Sequence, residues 1–284
     1  ACLGGEADRG VGAKRFVASR QVERDVVAIN SQKAGALAGF VSGMGIAVAD
    51  GIRTTACTPH IYPGLFENAS AGIAARVSEL QRRLREEGVD LSLVVGADAH
   101  LTPELLGRLR AGTAPTLADS RYFLLEPSHT VATPRFAEAV FDFVAAGYVP
   151  VITHPERLAW IRSHYAAFAS LVQGGTWMQV TAGSLCGRFG KDAQYFGQKM
   201  LDDGLVHILG TDAHGARQRA PLLNEGREAA EKWVGAEEAQ RLVGERPQAI
   251  LDNLPPRDVA PVPALRGDRR PPRRGLLGRI FARR

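Results

Sequence analysis

Asp212 and His214 stand two residues apart at the close of an apolar run, Leu205-Val206-His207-Ile208-Leu209-Gly210-Thr211. The twofold period of extended chain aims both side chains to one side. His154 ends a second such run, Val149-Pro150-Val151-Ile152-Thr153, and Arg157 follows one turn later. His60 comes just after Thr54-Thr55-Ala56-Cys57-Thr58, with Pro59 fixing the exit, and Glu126 ends Arg121-Tyr122-Phe123-Leu124-Leu125. Asp98 and His100 follow Leu91-Ser92-Leu93-Val94-Val95-Gly96-Ala97, while Trp177-Met178-Gln179-Val180 runs only to Thr181. Imidazole nitrogens and carboxylate oxygens are the ligands of hard or borderline divalent cations. A lone histidine is usually satisfied within the fold. Five runs of six that deliver His, Asp or Glu at the same end are a different matter, because independent coincidences multiply. The pattern is that of a metal-dependent hydrolase.

Such residues need elements that bring their ends together. Between the strand-like runs lie helical patterns: Ile73, Val77, Leu80 and Leu84 recur at spacings of 4, 3 and 4. Thr102-Pro103 and Thr133-Pro134 read as an N-cap followed by a proline at the first helical position. Gly147 reads as the close of the second of these helices. Further helices are expected over 156–173, 190–203 and 222–244. The strand-helix unit repeats at roughly 30 residues, the size of one βα crossover, and six units follow from about Ile52. An α/β barrel gathers strand C-termini and the loops after them on one catalytic face.

The chain has 284 residues, enough for one barrel-sized domain. With 45% hydrophobic and 23% charged residues it is expected to be a soluble globular protein, without a bilayer-spanning run or a secretory signal. Cys2, Cys57 and Cys186 form no C-x-x-C pair or disulfide framework, which points to a cytoplasmic protein. The net charge of +5 is deceptive, because eight arginines and one aspartate between 266 and 284 contribute +7 and leave the remainder at −2. A nucleic-acid partner is therefore not expected. Prolines from 255 to 272 exclude a packed element and read as a linker. The last ten residues read as a solvated end, or as a short basic amphipathic helix for weak contact with a membrane or an acidic partner.

Read in order, A-D-G-I-R-T-T-A-C-T-P-H (49–60), G-A-D-A-H-L-T-P-E-L-L (96–106), P-T-L-A-D-S-R-Y-F-L-L-E (115–126), G-Y-V-P-V-I-T-H-P-E-R (147–157), L-V-H-I-L-G-T-D-A-H (205–214) and the R-x-A-P beginning at Arg219 carry a resemblance. Over 44–254 the chain resembles the CpsB/YwqE-like bacterial tyrosine-protein phosphatases of the polymerase-and-histidinol-phosphatase (PHP) superfamily, from capsule and exopolysaccharide loci. The resemblance implies a distorted TIM-like (β/α)₇ barrel and a site with two or three divalent metal ions, most often Mn²⁺. It also implies hydrolysis of phosphotyrosine in the tail of a bacterial tyrosine kinase that controls polysaccharide export. His60, Asp98, Glu126, His154, Asp212 and His214 match the family's metal ligands, with Asp98 in place of the usual bridging glutamate. Arg157 and Arg219 match the arginines that hold phosphate, a task suited to a guanidinium fork. His100 and His129 are taken as supporting residues. Phosphate-ester hydrolysis is very slow without a catalyst, and paired divalent cations can activate water and neutralise the charge that develops. A cysteine mechanism would need C-x₅-R, but Pro63, Asp192 and Asp8 lie six positions beyond the three cysteines.

The resemblance fails at the start. The family opens with a strand bearing H-x-H and then an aspartate, whereas no histidine precedes His60 here. The family interval falls on Glu23 and Asp25, and on Gln32 for the aspartate. Val26-Val27-Ala28-Ile29 offers a substitute, atypical first strand, followed by a small-residue helix over 33–49. Either residues 1–43 come from a shifted frame, an altered start or a recombined gene, at the cost of part of the metal site, or Glu23 and Asp25 replace the missing ligands. The first account is preferred, because carboxylates in an unrelated context rarely restore a tuned ligand set. The chain thus divides into an atypical segment 1–43, a barrel 44–254 and a Pro/Arg-rich basic tail 255–284. The rival functions are a small-molecule phosphatase of the histidinol-phosphate kind and a catalytically dead phosphate-binding homologue.

Overall fold

The computed structural model describes residues 25–29, 37–217 and 219–266, with side chains from Gly43 onward. Nine parallel strands appear among them: β1 (Asp25–Ile29), β2 (Ile52–Cys57), β3 (His60–Ile61), β4 (Ser92–Val95), β5 (Asp98–His100), β6 (Tyr122–Glu126), β7 (Val149–Thr153), β8 (Trp177–Thr181) and β9 (Ile208–Gly210). They form two sheets, ordered β1-β2-β4 and β3-β5-β6-β7-β8-β9. These sheets make one wall. Cys57 pairs with Val95 and His60 with Asp98, so β3 and β5 prolong β2 and β4 after a short break. Gly96 N donates to Cys57 O at 3.1 Å and Asp98 N to Pro59 O at 3.1 Å, which carries the ladder across. Pro59 has no N–H to give back. Gly96 has no room for a side chain, since a Cβ would stand 2.9 Å from Leu117 Cδ2. Seven strand positions result, and β1 lies against β9 to close the barrel.

The wall explains where the site sits. In β6, Tyr122 and Leu124 point into the barrel with Val149, Val151, Trp177 and Ile208, whereas Phe123 and Leu125 pack outward beneath the helices. One step further along each strand the inward positions turn polar, at Glu126, Thr153, Gln179 and Thr181, all buried. The interior is thus apolar at the strand starts and polar at their C-termini, the polarity expected of a barrel with its site on the top face.

The shell is α1 (Leu37–Ala49), α2 (Ser70–Glu86), α3 (Leu105–Arg110), α4 (Phe136–Ala145), α5 (Ile161–Gln173), α6 (Ala182–Leu185), α7 (Lys191–Asp202), α8 (Asn224–Val234), α9 (Ala236–Gln240), α10 (Arg246–Leu251) and α11 (Pro263–Arg266). Ile73, Val77, Leu80 and Leu84 form the buried face of α2 as their spacing predicts. The two expected Thr-Pro caps do not form. Leu101 N still bonds Glu126 O at 3.0 Å, which holds the chain extended and delays α3 to Leu105. Arg135 takes a left-handed conformation, φ +54°, and α4 starts at Phe136, whose ring meets Trp160. The helix expected over 222–244 breaks at Gly235, φ +87°.

The expectation that prolines exclude packing after 253 is corrected through Arg266. Val262 is fully buried, and Arg246, also fully buried, donates to Ala260 O and Pro261 O at 3.1 and 3.3 Å. Arg246 needs acceptors, and an extended proline-rich segment offers carbonyls without competing N–H groups. Ala264 N donates to Gly204 O at 3.2 Å, where a Cβ on Gly204 would stand only 2.7 Å from that same nitrogen. The expected terminal amphipathic helix lies outside the described residues. No helix among the described residues is long and apolar enough to cross a membrane.

Candidate metal centre

Each chemistry-bearing residue stands at or just beyond the C-terminal end of a strand. His60 begins β3, Asp98 begins β5 beside it, Glu126 ends β6, His154 follows β7, and Asp212 and His214 follow β9. His154 and Asp212 adopt left-handed backbone, φ +36° and +48°, which side chains other than glycine seldom take and which clusters at functional sites. These turns swing each side chain across the barrel mouth.

Four of the six candidates meet directly. His60 Nδ1 lies 2.9 Å from Glu126 Oε2 and 3.8 Å from Asp98 Oδ2. His154 Nε2 lies 3.5 Å from Glu126 Oε1 and 3.8 Å from Asp98 Oδ2. Thr153 Oγ1 donates to Asp98 Oδ1 at 3.1 Å and sets that carboxyl's orientation. Asp212 and His214 form the rim. His214 Nδ1 is 2.9 Å from Asp212 O, and Arg157 Nη1 and Arg219 Nη1 donate to Asp212 Oδ2 at 2.5 and 2.6 Å.

His129, read from the sequence as a supporting residue, stands closer than expected. Its Nε2 is 3.0 Å from Glu126 Oε1. Among the described residues two sets of three donors each gather within 4.8 Å, His60 with Asp98 and Glu126, and Glu126 with His129 and His154. Glu126 belongs to both. The available signal was the three-residue step from Glu126 to His129 in the loop after β6. His100 instead stacks on Tyr62, ring centroids 3.9 Å apart, and belongs to neither set. Asp25 opens β1 opposite Ile52, at that strand's N-terminal end, whereas the ligand candidates stand at or beyond the C-terminal ends of theirs. Glu23 and Gln32 lie outside the described residues.

The charges are frustrated without a cation. Burial, and then the charge of Glu126, push the Asp98 carboxyl above its usual range. Burial acts against Glu126, yet bonds to His129, His154 and His60 hold it well below. Burial likewise opposes protonation of His154, but bonds to Asp98 and Glu126 hold it up at about 10. Desolvation works against Asp212 too, and His154, Arg157 and Arg219 keep it low. Buried carboxylates facing imidazole nitrogens at this spacing are a donor set that suits a borderline divalent ion.

The pattern of capsular polysaccharide synthesis proteins, CpsB/CapC, matches residues 35–252. The chain is 35% identical over 193 residues to tyrosine-protein phosphatase YwqE of Bacillus subtilis (strain 168), covering 67% of this chain and 75% of that one. It is 28% identical over 211 residues to tyrosine-protein phosphatase CpsB of Streptococcus pneumoniae, covering 71% and 85%. It superposes on a structure from the crystallographic work on YwqE and CpsB, there termed unique metal-dependent tyrosine phosphatases. The TM-score is 0.73 at 30% identity, over 78% of this chain and 89% of that one. Matched over three quarters of its length and built on the same barrel, the chain belongs to the CpsB/CapC family of capsular polysaccharide synthesis.

Proposed function

We propose that the chain is a metal-dependent protein-tyrosine phosphatase, hydrolysing phosphotyrosine in the tail of a bacterial tyrosine kinase that controls capsular or exopolysaccharide synthesis. The observation that carries this reading is the convergence of His60, Asp98, Glu126 and His154 at one barrel mouth beside two arginines that share Asp212. These four, with Asp212 and His214, would hold two or three divalent ions, Mn²⁺ being our choice, and His129 stands beside them. Bound there, the ions would supply Lewis acidity and charge neutralisation for phosphoryl transfer. Arg157 and Arg219 would take the phosphoryl oxygens in their guanidinium forks, in exchange for Asp212. Thr153 keeps Asp98 oriented throughout. The scattered cysteines suit work in the cytoplasm.

We infer also that activity is impaired. Among the described residues, the C-terminal end of β1 carries Val26-Val27-Ala28-Ile29 and brings no ligand type to a mouth that draws on the ends of five other strands. The test is turnover of a phosphotyrosine peptide at rising Mn²⁺, with metal analysis, against a version whose first forty-odd residues carry an H-x-H strand. Substoichiometric metal and slow turnover that the grafted strand improves are expected. Full occupancy and unchanged turnover would remove the impairment. Hydrolysis of histidinol phosphate but not of the peptide would favour a small-molecule phosphatase. Phosphopeptide binding that survives chelation, without turnover, would make the chain a binding protein.

A further inference from the structure

Phe189 stands on the loop between α6 and α7, and its ring faces both arginines of the site. Arg157 Cζ lies 4.4 Å from the ring centroid and Arg219 Cζ 5.9 Å from the same centroid. The loop is built to hold that ring in place. Gly187 and Gly190 take φ of +83° and +90°, which brackets the turn. Gly187 N donates to Ser184 O at 3.0 Å and Arg188 N to Gly183 O at 2.9 Å. Arg188 Nη2 bonds Glu225 Oε2 at 2.7 Å and ties the loop to α8. Gly183 lets the ring seat, because a Cβ there would lie 3.1 Å from Phe189 Cε2.

Two guanidinium groups donating to one oxygen of Asp212 repel each other, and that carboxylate is what holds them together. Once an anion draws them away, the Phe189 ring is still a contact they share. A π face attracts a guanidinium and leaves the N–H groups at its edge free to donate. The ring also walls a cleft of about 260 Å³ with Leu158, Ile161 and Phe196, so the outer side of Arg157 stays open to a ligand. We propose that Phe189 is a positioning residue, holding Arg157 and Arg219 side by side so that both forks receive the same phosphoryl group. This rests on the phosphatase reading above.

The test is the affinity of the Mn²⁺-supplemented full chain for inorganic phosphate, by calorimetry, in the wild type, Phe189→Leu and Phe189→Tyr. KM and kcat for a phosphotyrosine peptide and the thermal midpoint are read alongside. Leucine fills similar volume without a π face and should weaken phosphate binding about three- to tenfold. The peptide KM should rise in step while the midpoint stays unchanged, and tyrosine should keep wild-type affinity. Equal phosphate affinity in Phe189→Leu and the wild type would overturn the proposal. So would loss of affinity in both variants together with a lowered midpoint, which would make the ring a packing element of the loop. Failure of the wild type to bind phosphate at all would remove the phosphatase reading, and this role with it.

Discussion

Arg157 and Lys carry the same charge but not the same fork. Arg157 bonds Asp212 Oδ2 while its Cζ lies 4.4 Å from the Phe189 ring centroid, and an ammonium reproduces neither a planar guanidinium's contact with a ring nor its fork of donors. Arg157→Lys should therefore weaken phosphate and phosphopeptide binding about tenfold or more, the worth of one charged hydrogen bond, measured as the Ki of phosphate. Undiminished affinity would show that charge alone suffices there. His207 gives a residue-scale prediction for pH. Burial, and then the Arg246 charge, hold its imidazole well below the usual value, and its Nδ1 accepts from Met178 N at 3.1 Å, as a neutral ring must. A depressed histidine is neutral in the native state, so below about pH 6.5 the unfolded chain takes up a proton that the native chain refuses. Stability should fall as pH drops through that window, by up to about 1.4 kcal/mol per unit, and His207→Gln should remove this component. Urea titrations of both chains at pH 8, 6.5 and 5.5 would read it, and parallel losses would refute it.

At the scale of elements, the proline-rich strap and α9 through α11 act through one buried carboxylate. Glu238 takes Arg246 on Oε1 at 2.6 Å and Arg266 on Oε2 at 2.8 Å, while Arg241 bonds Oε2 at 3.3 Å. Removing one partner of a buried pair leaves the other uncompensated, so Glu238→Gln should cost about 3 kcal/mol or more in a urea titration. A loss under about 1 kcal/mol would mean that the strap is held by Val259 and Val262 alone. This arrangement was not legible in the sequence, because a proline-rich stretch and a lone arginine read as solvent-facing until the barrel closes over them. The strand ends were legible for the opposite reason: in five of the six apolar runs a His, Asp or Glu follows at the C-terminal end, and a barrel mouth asks for that. Helix starts were misread because Leu101 pairs with Glu126, a partner remote in sequence, and because Arg135 turns left-handed just before α4. His129 carried only the weak signal of a three-residue step in a loop.

Taken whole, the barrel places a buried cluster of opposed charges where its strands converge. Asp98, Glu126 and His154 are buried together at one mouth, and they come from three different strand ends spread over more than fifty residues. Without a cation, Asp98 is pushed toward its neutral form by burial and by Glu126, which is a cost written into the folded state and absent from the unfolded one. A divalent ion shared by these donors and His60 would relieve that cost and tie β3, β5, β6 and β7 together, and it has no comparable site in an extended chain. Binding to the native state alone stabilises it by mass action, by about 2.7 kcal/mol when the free ion is at 100 times its dissociation constant. For a domain of this size that corresponds to a rise of roughly 5 °C or more in thermal midpoint. Mn²⁺ should therefore raise the midpoint in a concentration-dependent way, EDTA should reverse it, and Glu126→Gln, which alters the one residue common to both donor sets, should abolish most of the shift. The measurement reads occupancy without needing turnover, so it applies even to a chain whose catalysis is weak. A midpoint indifferent to Mn²⁺ in the wild type, or a full shift in Glu126→Gln, would mean that the carboxylates at this mouth serve the fold and hold no ion.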